Sequence, residues 1–308
     1  MSWMRSILVR ASESSWLREH APRLGFVRRA SRRFLPGENP ADAIAAARAL
    51  AGAGITSLLT HLGENVRDRA EAATVTQQYL ELIDLIRTEA LPAEVSVKLT
   101  QLGLDLHRDF CFENLAKLIG YSIGKTVWID MEQSQYVDAT LALHARARQA
   151  HSNVGVCVQA YLHRAEKDVE ALVALGSSVR LVKGAYSEPP EIAFSKMSDV
   201  DANYLRLAQR LLSPEARRAG VRGVIATHDP NMIAQITDWA GKEGIARRDL
   251  EFAMLYGIQR GEQLRLAREG YRSGVLISYG TYWFPWYMRR LAERPANILF
   301  VLRNLFSN

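Results

Sequence analysis

Short apolar runs alternate with longer helical stretches from residue 55 to residue 297. Each run is three to six residues long and rich in Val, Ile and Leu, and each precedes a segment whose apolar residues recur at helical spacing. The runs are residues 55–60, 95–99, 126–131, 154–159, 179–183, 223–227, 250–255 and 275–277. Because strands buried on both faces are apolar throughout, the pattern predicts a parallel sheet covered by helices.

Eight such units in succession predict an α/β fold of the (βα)8, TIM-like barrel type. A doubly wound open sheet is the alternative, but eight similar units favour a sheet that closes on itself. The linkers are short and contain no Pro/Gly-rich break, so we expect a single domain over residues 1–308. Within it we expect an N-terminal helical cap over residues 1–54, a barrel over 55–297 and an amphipathic C-terminal helix over 298–308.

The start of the chain is strongly basic. The first 34 residues carry eight arginines against two acidic residues, Glu13 and Glu19. Such a start is typical of a transit peptide, and it also fits a basic amphipathic helix on an anionic membrane or on nucleic acid. We favour a helical cap on the barrel and expect no nucleic acid partner, while a peripheral membrane contact stays open.

Cysteine content and hydropathy point to a reducing compartment. The two cysteines, Cys111 and Cys157, provide neither a disulfide framework nor a metal-binding spacing. No stretch approaches the roughly 18 apolar residues of a membrane span. We therefore expect a cytoplasmic protein, with or without contact to the inner face of the membrane.

Polar residues recur at the ends of the apolar runs. In a (βα)8 barrel the C-terminal ends of the strands meet on one rim, where the chemistry takes place. The polar residues at these positions are Lys98, Asp130, Gln159, Arg180, Lys183, Thr227, His228, Tyr256, Arg289 and Arg290. Singly, each has an ordinary structural interpretation: Gln159 as a core hydrogen bond, Asp130 as the partner of Lys98 or an arginine. Together they predict a functional rim.

The predicted rim is mostly cationic, which favours an anionic ligand. Lys183, Gly184 and Ala185 combine a lysine for a phosphate with small residues that permit close backbone approach. Lys98 and two arginines further along, Arg289 and Arg290, are suited to a small carboxylate. The sequence contains no GxGxxG, no HExxH and no pair of metal-ligating histidines. We expect no metal, and any redox step requires a cofactor because these side chains cannot perform it.

Seven segments resemble the proline dehydrogenase family, in order and over residues 33–297: VSVKL with Lys98, WIDME with Asp130, VGVCVQAYL with Gln159, RLVKGAY with Arg180, ATHD with Thr227, LYG at 255–257, and YMRRLAERPAN with the arginine pair. Without an aldehyde dehydrogenase segment, the chain is similar to the monofunctional bacterial type. The resemblance implies a distorted (βα)8 barrel that holds FAD and oxidises L-proline to Δ1-pyrroline-5-carboxylate, passing electrons to a quinone.

The resemblance also implies roles for single residues. Asp130 and Arg180 match the acidic residue beneath the active site and the arginine near flavin N5. Glu293 matches the acid that orients the arginine pair. The residues that match the substrate site are Lys98, Tyr186, Arg289 and Arg290. Those that match FAD contacts are Met131, Gln159, Val182, Lys183, Gly184, Ala185, Thr227 and His228.

Two positions depart from the family pattern. Leu276 stands thirteen residues before Arg289, where the family usually has a tyrosine against the substrate ring. Ser187 stands where many members have an aromatic residue. The loss of the phenol keeps 4-hydroxyproline or another cyclic imino acid open as substrate beside proline. Two other classes also stay open: a Schiff-base lyase using Lys98 or Lys183, and a non-catalytic basic protein.

Overall fold

Strands and helices alternate through the part of the chain that the computed structural model describes, namely residue 20 and residues 31–63, 66–284 and 286–288. The strands are β1 (Thr56–His61), β2 (Ala93–Val97), β3 (Val127–Ile129), β4 (Val154–Gln159), β5 (Ser178–Val182), β6 (Arg222–Ala226), β7 (Glu251–Leu255) and β8 (Arg272–Tyr279). The α-helices are α1 (Pro40–Ala51), α2 (Arg69–Thr88), α3 (Arg108–Tyr121), α4 (Val137–Arg148), α5 (Ala165–Ala174), α6 (Met197–Leu212), α7 (Pro214–Arg218), α8 (Pro230–Lys242) and α9 (Arg260–Arg268).

The eight strands form one closed parallel barrel in chain order. Closure is made by β8 against β1, in a register that runs from Thr56 opposite Gly274 to His61 opposite Tyr279. The predicted (βα)8 barrel is thus confirmed, and the open doubly wound sheet was the wrong alternative. None of the described helices is long and apolar enough to span a bilayer.

Most predicted strand boundaries differ from the observed ones by one to three residues. β8 begins at Arg272, three residues before the predicted run, because Arg272 and Ser273 already pair with β7. Helix α6 begins only at Met197. The preceding segment contains Pro189 and Pro190, and an antiparallel bridge from Leu162 to Ala193 holds it as a loop instead. Most of the predicted N-terminal cap, and the C-terminal helix over 298–308, lie outside the described residues.

Local sequence signals start several helices. The Asp68 side chain accepts a hydrogen bond of 2.9 Å from the Glu71 N–H at the start of α2. Asp229 does the same for Asn231 at 3.0 Å, and Pro230 occupies the first position of α8, where a missing N–H costs nothing. Each cap satisfies a backbone donor that the helix itself leaves unpaired. Asp229 directly follows β6, so its cap also determines where the chain leaves the barrel.

Side chains on each strand alternate between two cores. One set faces the helices and forms the large outer core with Leu59, Val97, Ile129 and similar residues. The other set faces the inside of the barrel, where Leu58, Trp128, Val224 and Ala253 form a separate cluster, with Ala226 and Leu276 packed against it. Because the period of a strand is two, this assigns the inward face of every strand. We call the space above the second cluster the lumen.

A glycine makes room for the large side chain in this inner cluster. A Cβ at Gly155 on β4 would lie 2.6 Å from the ring of Trp128 on the neighbouring strand. The Trp128 indole, which is fully buried, donates from Nε1 to Glu94 at 2.7 Å. The ring therefore fills the barrel at mid-height, with the site above it and a charged network below.

Charged side chains close the N-terminal end of the barrel, in a set that we call the basal network. Arg222 donates to Glu94 at 2.7 Å and makes two bonds to Glu251, at 2.7 and 2.9 Å. Arg272 also pairs with Glu251, at 2.9 Å. Burial works to raise the pKa of Glu94, but the hydrogen bonds and charge of Arg222 hold that pKa below its usual value. The Glu94 carboxylate therefore stays ionised although its side chain is only 16% exposed.

Candidate functional site

The polar residues predicted at the strand ends lie at the C-terminal mouth of the lumen. Arg180 is on the inward face of β5, since it shares the strand's parity with Val182 and Ser178 and its guanidinium lies 5.6 Å above the ring of Trp128. Asp130 follows β3 directly, two residues after Trp128 and therefore on the same face. The strands thus bring residues fifty positions apart into contact.

Three side chains meet at the centre of the mouth. Arg180 forms an ion pair between its Nη2 and Oδ1 of Asp130. The Ser96 hydroxyl, on β2, donates to the same Oδ1 at 2.7 Å and accepts from Nη2 of Arg180 at 3.1 Å. We call this arrangement the Arg–Ser–Asp triangle. It gives Asp130 the arginine partner that one of our two interpretations expected.

Arg180 is charged and deeply enclosed. It is only 5% exposed. Burial works to lower its pKa, but the neighbouring Asp130 and Cys157 raise the pKa above the usual value. Its second terminal nitrogen, Nη1, is buried and has no hydrogen-bond partner. Because an unsatisfied buried charged donor is costly, this nitrogen marks a position where an acceptor belongs.

Lys98 follows β2 on the inward face, two residues after Ser96, and is 8% exposed. Its positive charge reaches His61 at the end of β1. Burial lowers the pKa of His61, and the charge of Lys98 lowers it further. His61 is therefore neutral at neutral pH, and the cationic character of this side of the mouth comes from Lys98.

The residues after β3 and β4 form a second hydrogen-bonded group. Gln159 donates from Nε2 to the backbone carbonyl of Glu132 at 2.9 Å, which is the core hydrogen bond that we considered for it. The Glu132 carboxylate accepts from the hydroxyl of Thr100 at 2.6 Å. Met131, between these groups and Asp130, is buried in the outer core. The two predicted cofactor contacts on this side, Met131 and Gln159, are thus held in place by burial and by a hydrogen bond.

Lys183, predicted to hold a phosphate, already has two carboxylate neighbours. Its Nζ lies 2.5 Å from Asp201 on α6 and 3.4 Å from Asp229 at the start of α8. Its side chain is 25% exposed, so these pairs are accessible to solvent at the rim. Val182 and Ala185, on either side of Lys183 and Gly184, are both half-buried on the same rim.

Gly184 occupies a position that no other residue fits. Its φ is +118°, in a region that L-residues rarely adopt, and a Cβ there would collide with the ring of Tyr161. The neighbouring backbone is held in place by the Tyr161 N–H, which donates to the Lys183 carbonyl at 2.8 Å. The loop therefore passes close to Tyr161, just after the end of β4.

We expect Gly184→Ala to lower the free energy of unfolding by about 1–3 kcal/mol, because it adds backbone strain and displaces the Tyr161 ring. Gly270→Ala is the matched control: its φ is +85° but nothing lies within 4 Å of the added Cβ. That variant should lose only the conformational part, about 1 kcal/mol. Urea unfolding of both variants measures the difference, and equal losses would contradict the assigned collision.

On the next two strands the polar groups bind the backbone. Thr227 accepts through its hydroxyl from the Asp229 N–H at 3.1 Å. His228 accepts through Nε2 from the Leu255 N–H at 2.8 Å, which leaves the ring proton of a neutral His228 on Nδ1. His228 thus ties the end of β6 to the end of β7, whereas the Thr227 hydroxyl fixes the turn that follows β6. Their orientation is determined by the backbone.

Tyr186 lies on the loop between β5 and α6 and is half-buried. This loop is tied across the mouth by Glu188, whose carboxylate accepts from the backbone N–H of Ser134 at 2.8 Å and from its hydroxyl at 2.6 Å. The loop is held again where the Phe194 N–H donates to the Tyr161 carbonyl at 2.8 Å. Glu188 and Ser134 were not predicted, because nothing in a lone acidic residue before two prolines indicates a partner fifty-four positions away.

Sequence reasoning also missed Ser96. The available signal was a single hydroxyl in the apolar run VSVKL, at the spacing that puts it on the same face as Lys98. Three predicted residues, Arg289, Arg290 and Glu293, lie outside the described residues. Among the residues that are described, no group of three or more His, Cys, Asp or Glu side chains is arranged to hold a metal.

Comparisons with known proteins agree with this architecture. The family model described as proline dehydrogenase matches residues 43–303. Proline dehydrogenase 2 of Bacillus subtilis subsp. natto is 36% identical over 303 residues, which cover 98% of each chain. The proline dehydrogenase of Deinococcus radiodurans is 34% identical over 280 residues, 89% of each chain.

A solved structure shares the fold. The crystal structure of proline utilization A (PutA) from Bdellovibrio bacteriovorus, inactivated by N-propargylglycine, superposes with a TM-score of 0.80 at 26% identity. The match covers 87% of this chain and 33% of that one, so this chain spans about a third of the length of that protein. These relatives align with most of the chain, and the family model matches residues 43–303. The chain therefore belongs to the proline dehydrogenase family.

Proposed function

We propose that this chain oxidises L-proline to Δ1-pyrroline-5-carboxylate, with FAD as hydride acceptor and a quinone as the final electron acceptor. The observation that carries the proposal is the Arg–Ser–Asp triangle at the mouth of the barrel, with its buried Nη1 donor and Lys98 beside it. A cationic mouth suits a substrate carboxylate and a cofactor that gains negative charge on reduction. The relatives named proline dehydrogenase support the reaction class.

The residues of this chain fit a bound FAD. Nη1 of Arg180 is a buried donor without a partner, and Gly184 keeps its loop close to the end of β4, where a Cβ would collide with the Tyr161 ring. When bound, FAD supplies the two-electron acceptor that no side chain offers. We assign its contacts to Met131, Gln159, Val182, Lys183, Gly184, Ala185, Thr227 and His228. Asp130 and Arg180 act at the reacting centre.

The chain's own part in the reaction is to bind and orient the substrate. We assign the substrate carboxylate to Lys98, Arg289 and Arg290, with Glu293 orienting the arginine pair and Tyr186 beside the substrate ring. Fixing a carboxylate at three cationic groups leaves the ring few orientations, so the carbon that loses hydride is presented in one geometry. We assign the loop that carries Tyr186, held by the hydrogen bonds between Glu188 and Ser134, to limiting the access of water.

Arg289→Ala and Arg290→Ala should each weaken substrate binding by tenfold or more, because a charge-assisted hydrogen bond is worth about 1.5–3 kcal/mol. FAD should remain bound at full stoichiometry in both variants. Titration with L-proline under anaerobic conditions, followed at the flavin absorbance, measures the substrate affinity. Arg210→Ala, on the outer face of α6, is the control and should bind proline like the unaltered protein. Loss of flavin from both mouth variants would show that these arginines hold the cofactor instead.

Leu276 supports proline over its 4-hydroxylated relative. It packs against the apolar cluster of Leu58, Trp128, Val224 and Ala253 inside the barrel. A wall of this kind accepts a ring methylene and offers no partner to a ring hydroxyl, whose burial without one costs about 1–3 kcal/mol. The ratio of kcat/KM for L-proline and 4-hydroxy-L-proline tests this preference.

The absorption spectrum of the purified protein tests the function directly. A flavin spectrum that bleaches on anaerobic addition of L-proline, and recovers on addition of a soluble quinone, is the expected result. A colourless protein that takes up no added FAD would overturn the proposal. Borohydride trapping of substrate on Lys98 or Lys183 would instead support the Schiff-base lyase. Sedimentation with anionic vesicles tests peripheral membrane contact separately.

A further inference from the structure

The hydrogens of the Arg–Ser–Asp triangle can be assigned completely. A guanidinium only donates, so Ser96 must accept from Arg180 and must direct its single hydrogen to Asp130. Nη2 carries two hydrogens, and its two acceptors are Oδ1 of Asp130 and Oγ of Ser96 at 3.1 Å. Nη2 is therefore saturated, and Nη1 is the terminal nitrogen left with its donors unused.

This arrangement differs from the usual pairing of arginine with a carboxylate. Such pairs are frequently bidentate, with two parallel N–H bonds to the two oxygens. Here the contact between Arg180 and Asp130 runs through one nitrogen and one oxygen, Oδ1. Ser96 Oγ lies 2.7 Å from that same oxygen and takes the second hydrogen of Nη2. Because Ser96 accepts this hydrogen, Arg180 needs only one contact with Asp130 to satisfy both hydrogens of Nη2.

No other group in the triangle can accept the second hydrogen of Nη2. Ser96 is fully buried, so water does not replace its oxygen at the surface. Below the guanidinium, the Trp128 ring at 5.6 Å provides a face but no hydrogen-bond acceptor. Without the hydroxyl, Nη2 would have a spare hydrogen and Arg180 could satisfy it by turning both terminal nitrogens toward Asp130. That turn would use a hydrogen of Nη1 for Asp130 and take this donor away from any other acceptor.

We propose that Ser96 is a positioning residue, which holds the Arg180–Asp130 pair to a single contact and so keeps Nη1 of Arg180 for the cofactor. The inference rests on the proposed function, since it assigns Nη1 to the reduced, negatively charged flavin. Ser96 itself contacts neither substrate nor cofactor in this scheme. Its effect on the reaction passes entirely through the orientation of one guanidinium.

The test is Ser96→Ala in the FAD-loaded protein, with two readouts. The midpoint potential of the bound flavin should become more negative, by about 30 mV if the reduced form is held tenfold more weakly. The kcat for L-proline should fall about tenfold while KM changes less than twofold, because the substrate residues are untouched. Flavin content per chain should stay at the wild-type value.

Ser96→Thr keeps the hydroxyl. It should restore kcat to within twofold of wild type and return the midpoint potential to the wild-type value. Ser96→Cys keeps the size but is a poor donor and acceptor, so it should behave like alanine. Ser57→Ala is the matched control: Ser57 is a buried serine on β1 whose hydroxyl has no partner. In an Arg180→Met background, Ser96→Ala should produce no further change, since the two residues act as one unit.

A wild-type potential in Ser96→Ala would overturn the inference, and so would failure of threonine to restore it. If the alanine variant loses its flavin, the cysteine variant decides the question by the same potential measurement. Equal shifts in Ser57→Ala would show a general effect of removing a buried hydroxyl. The proposed function has its own outcome: if wild type is not bleached by proline, that assignment fails, whereas bleaching with an unshifted Ser96→Ala overturns only the role of Ser96.

Discussion

Replacing Arg222 by methionine is expected to lower the free energy of unfolding by about 3 kcal/mol, the usual cost of leaving a buried carboxylate without its partner. Arg222 makes the central bonds of the basal network, to Glu94 and Glu251, whose side chains are 16% and 4% exposed. Arg272 still pairs with Glu251 in the variant, so we place the effect at the lower end of the range. Urea unfolding at neutral pH measures it.

The matched control is Arg210→Met on α6. Arg210 is as exposed as Arg222, 23% against 24%, and it too binds two glutamates, but Glu170 and Glu215 are 51% and 72% exposed. Water can solvate those carboxylates, so the loss should be below about 1 kcal/mol. Equal losses in the two variants would contradict the view that burial of the partner decides the cost.

The sign of the pH dependence gives a second check on Arg222→Met. In the unaltered protein Arg222 holds the pKa of Glu94 below its usual value. The pair therefore stabilises the fold at any pH above the pKa that Glu94 has in the unfolded chain. This stability is lost as the pH falls through the lower pKa that Glu94 has in the folded protein. In the variant, burial without a partner raises that folded pKa above the unfolded one. The penalty is then fully present at neutral pH and should shrink at mildly acidic pH.

Replacing Arg180 by methionine should reduce kcat for L-proline about 100-fold. The variant removes the buried Nη1 donor that we assign to the reduced cofactor. A hydrogen bond from a charged group is worth about 1.5–3 kcal/mol, and each 1.4 kcal/mol or so of barrier is tenfold in rate. Stopped-flow reduction of the flavin by L-proline measures the chemical step without the quinone.

Arg180→Lys separates charge from geometry. Lysine keeps the positive charge but cannot donate from a planar fork, so reduction should be partly restored while remaining well below wild type. Flavin content and the far-UV circular dichroism spectrum serve as controls for folding. A wild-type reduction rate in Arg180→Met with flavin bound would show that this arginine has no part in the chemistry.

Local pattern predicted the fold because it is repetitive. A buried parallel strand must be apolar throughout, and a covering helix must be apolar on one face, so both signals are written in consecutive residues. The count of eight similar units then favoured a closed barrel over an open sheet. The pattern could not predict the true start of β8 at Arg272, because Arg-Ser-Gly looks like a turn in the sequence and becomes a strand only by pairing with β7.

The sequence by itself determined which residues are available for chemistry and that they stand at strand ends, since strand parity and the barrel rim follow from spacing alone. It also determined the family, through motifs that keep their order along the chain. Only the tertiary structure decided which side chains contact one another. Ser96, Asp130 and Arg180 come from three strands, and Glu94 meets Arg222 across 128 positions. Such contacts depend on how the strands are staggered around the closed barrel, and no local pattern in the sequence specifies that stagger.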